Sequence, residues 1–248
     1  MDDEIAAFWD EFAPDYYQIQ QASQVPIVSD VVRFLRQQQL LPTQSVVDLG
    51  GGSGRYLPAL AQASQHYVIS DISTVMLQYA RQEAQKAAVK NVAYQVESLD
   101  QFLATTLDQT YQMIFMALNP SVTPANIQAI AQKSQRWTVV LRLTLNEDDL
   151  FSPLAQQLGI DESDPNIDAQ IMTQFKTQLP ATVHEQQFSY TYQETIDRQL
   201  VLDYYADYAD HPRLQAAVAA LFKTKTQLIS QTKLTYTLLY WQRTEINR

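Results

Sequence analysis

Cysteine is absent from the 248 residues, which removes disulfides, thiolate catalysis and cysteine-ligated zinc together. Histidine is almost as scarce. His66, His184 and His211 stand far apart, in neither HxxxH nor HExxH spacing, so the pattern points to no metal. Carboxylates could build a metal site, but nothing in the sequence points to one. Basic residues are few and never run together: 17 Lys and Arg face 27 Asp and Glu, for a formal net charge of −10. A phosphate backbone requires clustered cations, so nucleic acid is not an expected partner, and the same acidity repels anionic lipid headgroups. No apolar run approaches the ~18 residues of a membrane span. The opening Met1-Asp2-Asp3-Glu4 is the reverse of the basic start of a signal peptide. These absences lead us to expect a cytoplasmic protein without nucleic acid or membrane partners; it is taken as a monomer or homodimer.

Glycine is scarce as well, and its placement is the most informative feature of the chain. There are five glycines, and four of them fall between Gly50 and Gly54. With 46% hydrophobic residues the chain can bury a full core, and with only 18% charged residues many surface positions are expected to carry Gln and Thr instead of charge.

Hydrophobic periodicity gives a coarse map. Ile5, Phe8, Trp9, Phe12, Tyr16 and Ile19 recur at helical spacing over Glu4 to Gln20, with an interruption expected near Pro14. A second helix fits Val28 to Leu41 and ends at Pro42. Short apolar runs at Ser45–Leu49, Tyr67–Asp71, Val92–Val96, Tyr111–Leu118 and Trp137–Leu143 alternate with helical stretches at Arg55–Ser64, Val75–Ala88 and Leu99–Thr106. A further helix is capped by Thr123 and opened by Pro124. Five strands alternating with helices predict a parallel sheet with right-handed crossovers. Beyond Asn146 the rhythm changes. Two helices flank the acidic turn Asp161–Pro165, Val183–Tyr192 alternates like a strand, two more helices over Gln193–Gln231 break at His211-Pro212, and Leu234–Trp241 reads as a final strand.

Strand, glycine turn and helix start together form a nucleotide crevice at the carboxyl edge of a sheet. Asp71 closes the second strand 21 residues past Gly50, the spacing at which a carboxylate accepts hydrogen bonds from ribose hydroxyls. A helix cap is the alternative role for this residue. The dinucleotide pattern G-x-G-x-x-G needs glycine at its sixth position, where Arg55 stands.

Asp48-x-Gly50-x-Gly52-x-Gly54 instead resembles the D-x-G-x-G-x-G turn of class I S-adenosylmethionine-dependent methyltransferases of the small-molecule type. Phe8-Trp9-Asp10 through Tyr16 is similar to the FWD-x-x-A-x-x-Y opening of many such enzymes. Asp71-Ile72-Ser73, followed by Met76-Leu77 and Ala80-Arg81, is similar to their D-x-S-x-x-M-L-x-x-A-R after strand two. Roughly the first 145 residues match in order and spacing.

The resemblance implies an α/β fold, a Rossmann-like, mostly parallel seven-stranded sheet with helices on both faces and helical cap insertions. It implies a single domain over 1–248, with N-terminal helices or lid (1–44), a cofactor-binding core (45–145), and cap helices with the last two strands (146–248). The implied cofactor is S-adenosyl-L-methionine, leaving as S-adenosyl-L-homocysteine. Asp48 would belong to the cofactor site, Gly50, Gly51 and Gly52 would line the methionine end, Asp71 would take the ribose, Ile72 and Met76 the adenine, and Ser98 and Leu99 the adenine edge. Ala117 and Leu118 would face the amino group or sulfur, and Tyr16 would close the pocket, unless it is one more core aromatic. The family often has Asp where Ser98 stands, and Gln112 replaces a common Asp of strand four.

For the acceptor, the residues offer candidates rather than an assignment. Asn119-Pro120 invites comparison with the N-P-P-Y motif of amino-group methyltransferases, but Ser121 and Val122 follow and the aromatic ring is missing. A plain turn explains it equally well. His184 and His211 are possible general bases, and Tyr204, within Asp203–Tyr208, a possible pocket residue. The alternative to an enzyme is a non-catalytic S-adenosylmethionine-binding regulatory protein.

Overall fold

Val46-Val47, Tyr67-Val68-Ile69 and Ile114-Phe115-Met116 are continuous apolar runs, the signature of strands covered on both faces. In the computed structural model they form the centre of a sheet. The structure describes residues 2–160, 166–179, 182–208, 211 and 213–243. The expected acidic turn at 161–165, and Pro212, lie outside them.

Four parallel pairs link β1 (Thr43–Leu49), β2 (Ser64–Asp71), β3 (Val92–Val96), β4 (Tyr111–Ala117) and β5 (Ser134–Asp148). β6 (His184–Asp197) and β7 (Gln227–Gln242) complete a seven-stranded sheet in the order β3-β2-β1-β4-β5-β7-β6. β7 runs antiparallel to β5, since Arg243 N–H donates to Arg136 O and Thr144 Oγ1 donates to Thr235 O. The chain leaves β1 toward β2 and β3, then returns to place β4 on the other side of β1. That reversal opens a crevice beyond the carboxyl ends of β1 and β4. Gln112 anchors the opposite end, where its Oε1 accepts from Thr43 Oγ1 (2.9 Å) and Gln44 N–H (3.2 Å).

The connecting helices are α1 (Asp2–Ala22), α2 (Ile27–Gln37), α3 (Leu57–Gln62), α4 (Thr74–Lys86), α5 (Leu99–Thr105) and α6 (Ile127–Gln132). Then come α7 (Phe151–Leu158), α8 (Ile167–Gln178), α9 (Arg198–Tyr204) and α10 (Leu214–Phe222). Among the described residues no helix is long and apolar enough to cross a membrane.

The backbone falls into two compact units. The first comprises the chain up to Arg142, Ile171–Phe188 and the chain from Thr237. Its core joins Val47, Leu49, Ile114, Met116 and Val140 of the sheet to Phe102, Ile127, Ile130, Phe175 and Trp241. Each such side chain, fully buried, contributes ~1.5–3 kcal/mol. The second comprises Leu143–Gln170 and Ser189–Tyr236. It packs Leu150, Leu154 and Leu158 against Val201, Tyr205, Leu214, Val218 and Phe222. The Tyr205 hydroxyl donates to Phe151 O at 2.7 Å, and Ser230 Oγ donates to Asp149 Oδ1 at 2.9 Å.

Several elements depart from the sequence expectation. α1 is not interrupted at Pro14. The missing N–H forfeits one helical bond, but α4 and its entry hold the helix on either side of the proline. Ser73 Oγ donates to Asp10 Oδ1 at 2.6 Å, and the Tyr17 ring stacks on Tyr79 at 4.4 Å while its hydroxyl bonds Glu83. α6 begins at Ile127 rather than at Pro124. The Asn126 side chain accepts from Thr123 N–H and donates to Ser121 O, tying the preceding residues into turns. β5, β6 and β7 are longer than expected, and strand residues occupy both ends of the stretch Gln193–Gln231. The alternation carried by Ser, Thr and Gln continues in those segments, where an apolar-only count loses it.

Candidate functional site

The turn after β1 is tied to β2 by its main chain. Gly50 and Gly51 N–H both donate to Ser70 O, at 2.8 and 3.2 Å. Gly50 takes φ 70° and Gly52 φ 55°, a region in which a side chain costs ~1–2 kcal/mol. The two glycines are required for different further reasons. A Cβ on Gly50 would lie 2.6 Å from Asn119 Cγ. Asn119 is buried there because its Nδ2 donates to Leu49 O and its Oδ1 accepts from Ser121 N–H, both at 2.9 Å. A Cβ on Gly52 would meet nothing nearer than Asp71 Oδ2 and Met76 Sδ, each at 3.9 Å. Gly52 therefore leaves open space in front of Asp71.

Asp71 is oriented by two backbone donors: Gly52 N–H to Oδ2 at 2.8 Å and Ser73 N–H to Oδ1 at 2.9 Å. Burial raises its pKa, the two N–H groups oppose that rise, and the charge of Asp10 adds to it. Asp48, on β1, is buried and its pKa is pushed up to about 7. Burial is the main cause, resisted by the hydrogen bond from the Tyr67 hydroxyl to Oδ2 and reinforced by the Asp71 charge. Its other oxygen, Oδ1, is buried and accepts no hydrogen bond. A buried carboxylate oxygen without a donor is costly, and it fits a site that a cationic or N–H-bearing group completes.

These groups line a cleft partly open to solvent. Its floor is the glycine turn, one side is Ser70, Asp71, Ile72, Met76, Glu97 and Leu99, and the other is Ala117 to Ser121. Leu118 stands at φ 56° without being glycine, a strained conformation of the kind that collects at ligand sites. α1 supplies the remaining wall through Trp9, Tyr16 and Gln20, which share a face. The helix is held against the turn because Ser53 Oγ donates to Gln20 Oε1 at 2.7 Å. Asp10 fixes it to the start of α4. Burial works against its ionisation, but donors from Ser73, Val75 and Thr74 outweigh that and hold its carboxyl below the ordinary range.

A family model described as a methyltransferase domain matches residues 46–139, the segment that contains the glycine turn, Asp71 and β4. That segment of the chain is a methyltransferase domain. Solved structures agree at the level of the fold. The YcgJ protein from Bacillus subtilis is 14% identical, with 88% of this chain and 98% of that one covered at a TM-score of 0.54. Magnesium protoporphyrin IX methyltransferase from Synechocystis PCC 6803, with bound SAH, is 16% identical over 95% and 98% of the two chains, also at 0.54. Phosphoethanolamine N-methyltransferase 2 from Haemonchus contortus is 12% identical over 88% and 52%, at 0.50. No curated protein matches the chain by sequence.

The structure brings most of the sequence candidates together. Tyr16, Asp48, Gly50, Gly51, Gly52, Asp71, Ile72, Met76, Leu99, Ala117, Leu118 and Asn119 all line the one cleft. Ser98 does not. It caps α5 in a reciprocal capping box, its Oγ accepting from Gln101 N–H while Gln101 Oε1 accepts from Ser98 N–H. His184 is exposed and stacks on Tyr240 at 4.9 Å. Tyr204, 60% exposed, lies in the second unit against Phe151 and Tyr205. Sequence reasoning passed over Trp9, Gln20, Arg55, Tyr56, Ser70 and Glu97 among the lining residues. Trp9 and Gln20 were accessible from their helical spacing to Tyr16, and Glu97 from its place beside Ser98. Ser70 is exposed to the cleft only by the sheet's register, and its Oγ donates to Glu97 Oε1 at 2.9 Å.

Proposed function

We propose that the chain transfers a methyl group from S-adenosylmethionine to a small-molecule acceptor by in-line displacement. The observation that carries this reading is the pairing of the open space at Gly52 with a backbone-oriented Asp71 in one cleft. The residues suit the donor. Asp71 retains lone pairs for ribose hydroxyls, Ile72 and Met76 offer apolar surface for the adenine, and Asp48 Oδ1 is ready for the ammonium of the methionine end. Because the Ser98 hydroxyl and N–H are both committed to the α5 cap, the adenine edge falls to its neighbours Glu97 and Leu99.

When bound, S-adenosylmethionine supplies a methyl carbon already activated by its sulfonium. The protein therefore has mainly to align the acceptor and keep water out, and alignment alone can contribute up to ~7–11 kcal/mol. Trp9 and Tyr16 form the apolar wall that excludes water. Leu118, Asn119, Pro120 and Ser121 are the surface against which the acceptor rests. Asn119 acts there as a brace: its amide is spent on Leu49 O and Ser121 N–H, so it holds the turn rather than the acceptor.

The small-molecule assignment is tested by following S-adenosylhomocysteine release with a cell extract separated by ultrafiltration. Turnover supported by the low-molecular-weight filtrate is the expected result. Turnover supported only by the retained macromolecules would overturn it.

A further inference from the structure

The faces of α1 differ in what they meet. On one, Ala13 is buried, the Tyr17 ring stacks on Tyr79, and Asp10 is bonded to the start of α4. The adjoining face presents Trp9, Tyr16 and Gln20 to the cleft. Beyond it, at helical spacing, stand Ile5, Phe8, Phe12 and Ile19. This third row contributes little to the core, since Phe8 is 59% and Ile19 62% exposed. A row of large apolar side chains left in water on one face marks a surface that receives something.

We propose that this row is the outer part of the acceptor site, and that the acceptor is an amphiphilic cation with an apolar or aromatic body and a positive group at its far end. This rests on the methyl-transfer reading above. Continuity with the cleft is the first argument. Phe8 meets Trp9 edge-on at 5.3 Å and stacks with Phe12 at 6.1 Å, and Phe12 meets Tyr16 at 6.0 Å. One run of rings therefore leads from the cleft lining out to solvent. Charge is the second argument. α1 carries the carboxylates Asp2, Asp3, Glu4, Asp10, Glu11 and Asp15 and no basic residue; the first base in the chain is Arg33. At ~100° per residue, Glu4, Glu11 and Asp15 form a line along the margin of the apolar row that lies away from Trp9 and Tyr16, and all three are exposed. A body lying on the rings brings its far end beside these carboxylates. The ring faces themselves favour a cation over an anion. The methyl-accepting atom lies inside, against Leu118 to Ser121, so the outer cation keeps its charge throughout the transfer.

Three matched probes, titrated into protein loaded with S-adenosylhomocysteine, test this: naphthylethylamine, a cation at neutral pH, the neutral naphthylethanol, and the anion naphthylacetate. The expected order of affinity is amine, alcohol, carboxylate, with about 10-fold or more between first and last. Phe8→Ser, which alters an exposed side chain, should weaken the amine about fivefold or more and leave S-adenosylhomocysteine affinity within about twofold. Glu11→Gln combined with Asp15→Asn should bring the amine and carboxylate affinities within about threefold of each other and leave the alcohol unchanged. The proposal is overturned if the amine does not bind, if the carboxylate binds as well as the amine, or if Phe8→Ser leaves amine affinity unchanged. It is also overturned if the wild type sediments as a dimer and Phe8→Ser as a monomer, since a second copy would then cover the row. If wild-type protein does not bind S-adenosylhomocysteine, the cofactor reading itself fails, an outcome separate from the others.

Discussion

Gly50→Ala and Gly52→Ala add the same methyl group two residues apart, and the structure predicts that they fail differently. Both positions have positive φ, so each substitution costs ~1–2 kcal/mol of backbone strain. At Gly50 the methyl also collides with the Asn119 side chain. Making room displaces Asn119 from Leu49 O and from Ser121 N–H, at about 1 kcal/mol for each hydrogen bond. The total is roughly 3–4 kcal/mol, a large part of the ~5–15 kcal/mol that keeps a domain folded. At Gly52 the methyl has space, and the stability loss stays at the strain value. It occupies the gap before Asp71 and Met76, however, and overpacking there costs a ligand ~1–3 kcal/mol. Urea unfolding and calorimetry with S-adenosylhomocysteine on both variants separate the two effects. Gly50→Ala should lower the midpoint markedly more than Gly52→Ala, while Gly52→Ala weakens binding about 10-fold or more with the fold retained. Equal midpoints, or Gly52→Ala binding as wild type does, would refute the reasoning.

Further outcomes follow from the same geometry. Asp71→Ala is expected to weaken S-adenosylhomocysteine by about 1–3 kcal/mol through lost ribose hydrogen bonds, with some added loss of stability because Gly52 and Ser73 N–H lose their acceptor. Unchanged affinity by calorimetry would remove the assigned role. Asp48 is raised to about 7, so below that pH the free protein carries it protonated, while a bound ammonium favours the ionised form. Affinity should therefore rise between pH 6 and 8, with a proton released on binding at pH 6, and Asp48→Asn should flatten the profile in a calorimetric titration across buffers. Ser98→Ala should cost ~0.5–2 kcal/mol of stability in thermal unfolding, through loss of the α5 cap, and leave cofactor affinity within about twofold. A selective loss of affinity would return Ser98 to the site.

What the sequence determined by itself is the part encoded locally. Val47-Asp48-Leu49 leading into Gly50–Gly54 announces strand, turn and crevice because only glycine tolerates those backbone angles beside a ligand. The acidic residue closing the second apolar run is legible for the same reason, since strand ends at this spacing meet at one sheet edge. β1, β2 and β4 were readable because strands buried on both faces are apolar through their centres. The long β6 and β7 were only partly readable, since their alternation is carried by Thr, Gln and Ser. What tertiary structure alone decided is which neighbour each polar group meets. Asn119 stood open between acceptor chemistry and a plain turn until the return of β4 beside β1 placed its amide under Gly50. Ser98 is the opposite case: the Ser98-x-x-Gln101 capping box that removes it from the adenine is a local pattern, legible in the sequence. Arg55 counted in the sequence only as a glycine that was missing. Its place in the lining of the cleft comes from the fold. Hydrogen-bond partners separated by tens of residues are set by the packing of the sheet and helices, and no local pattern in the chain specifies them.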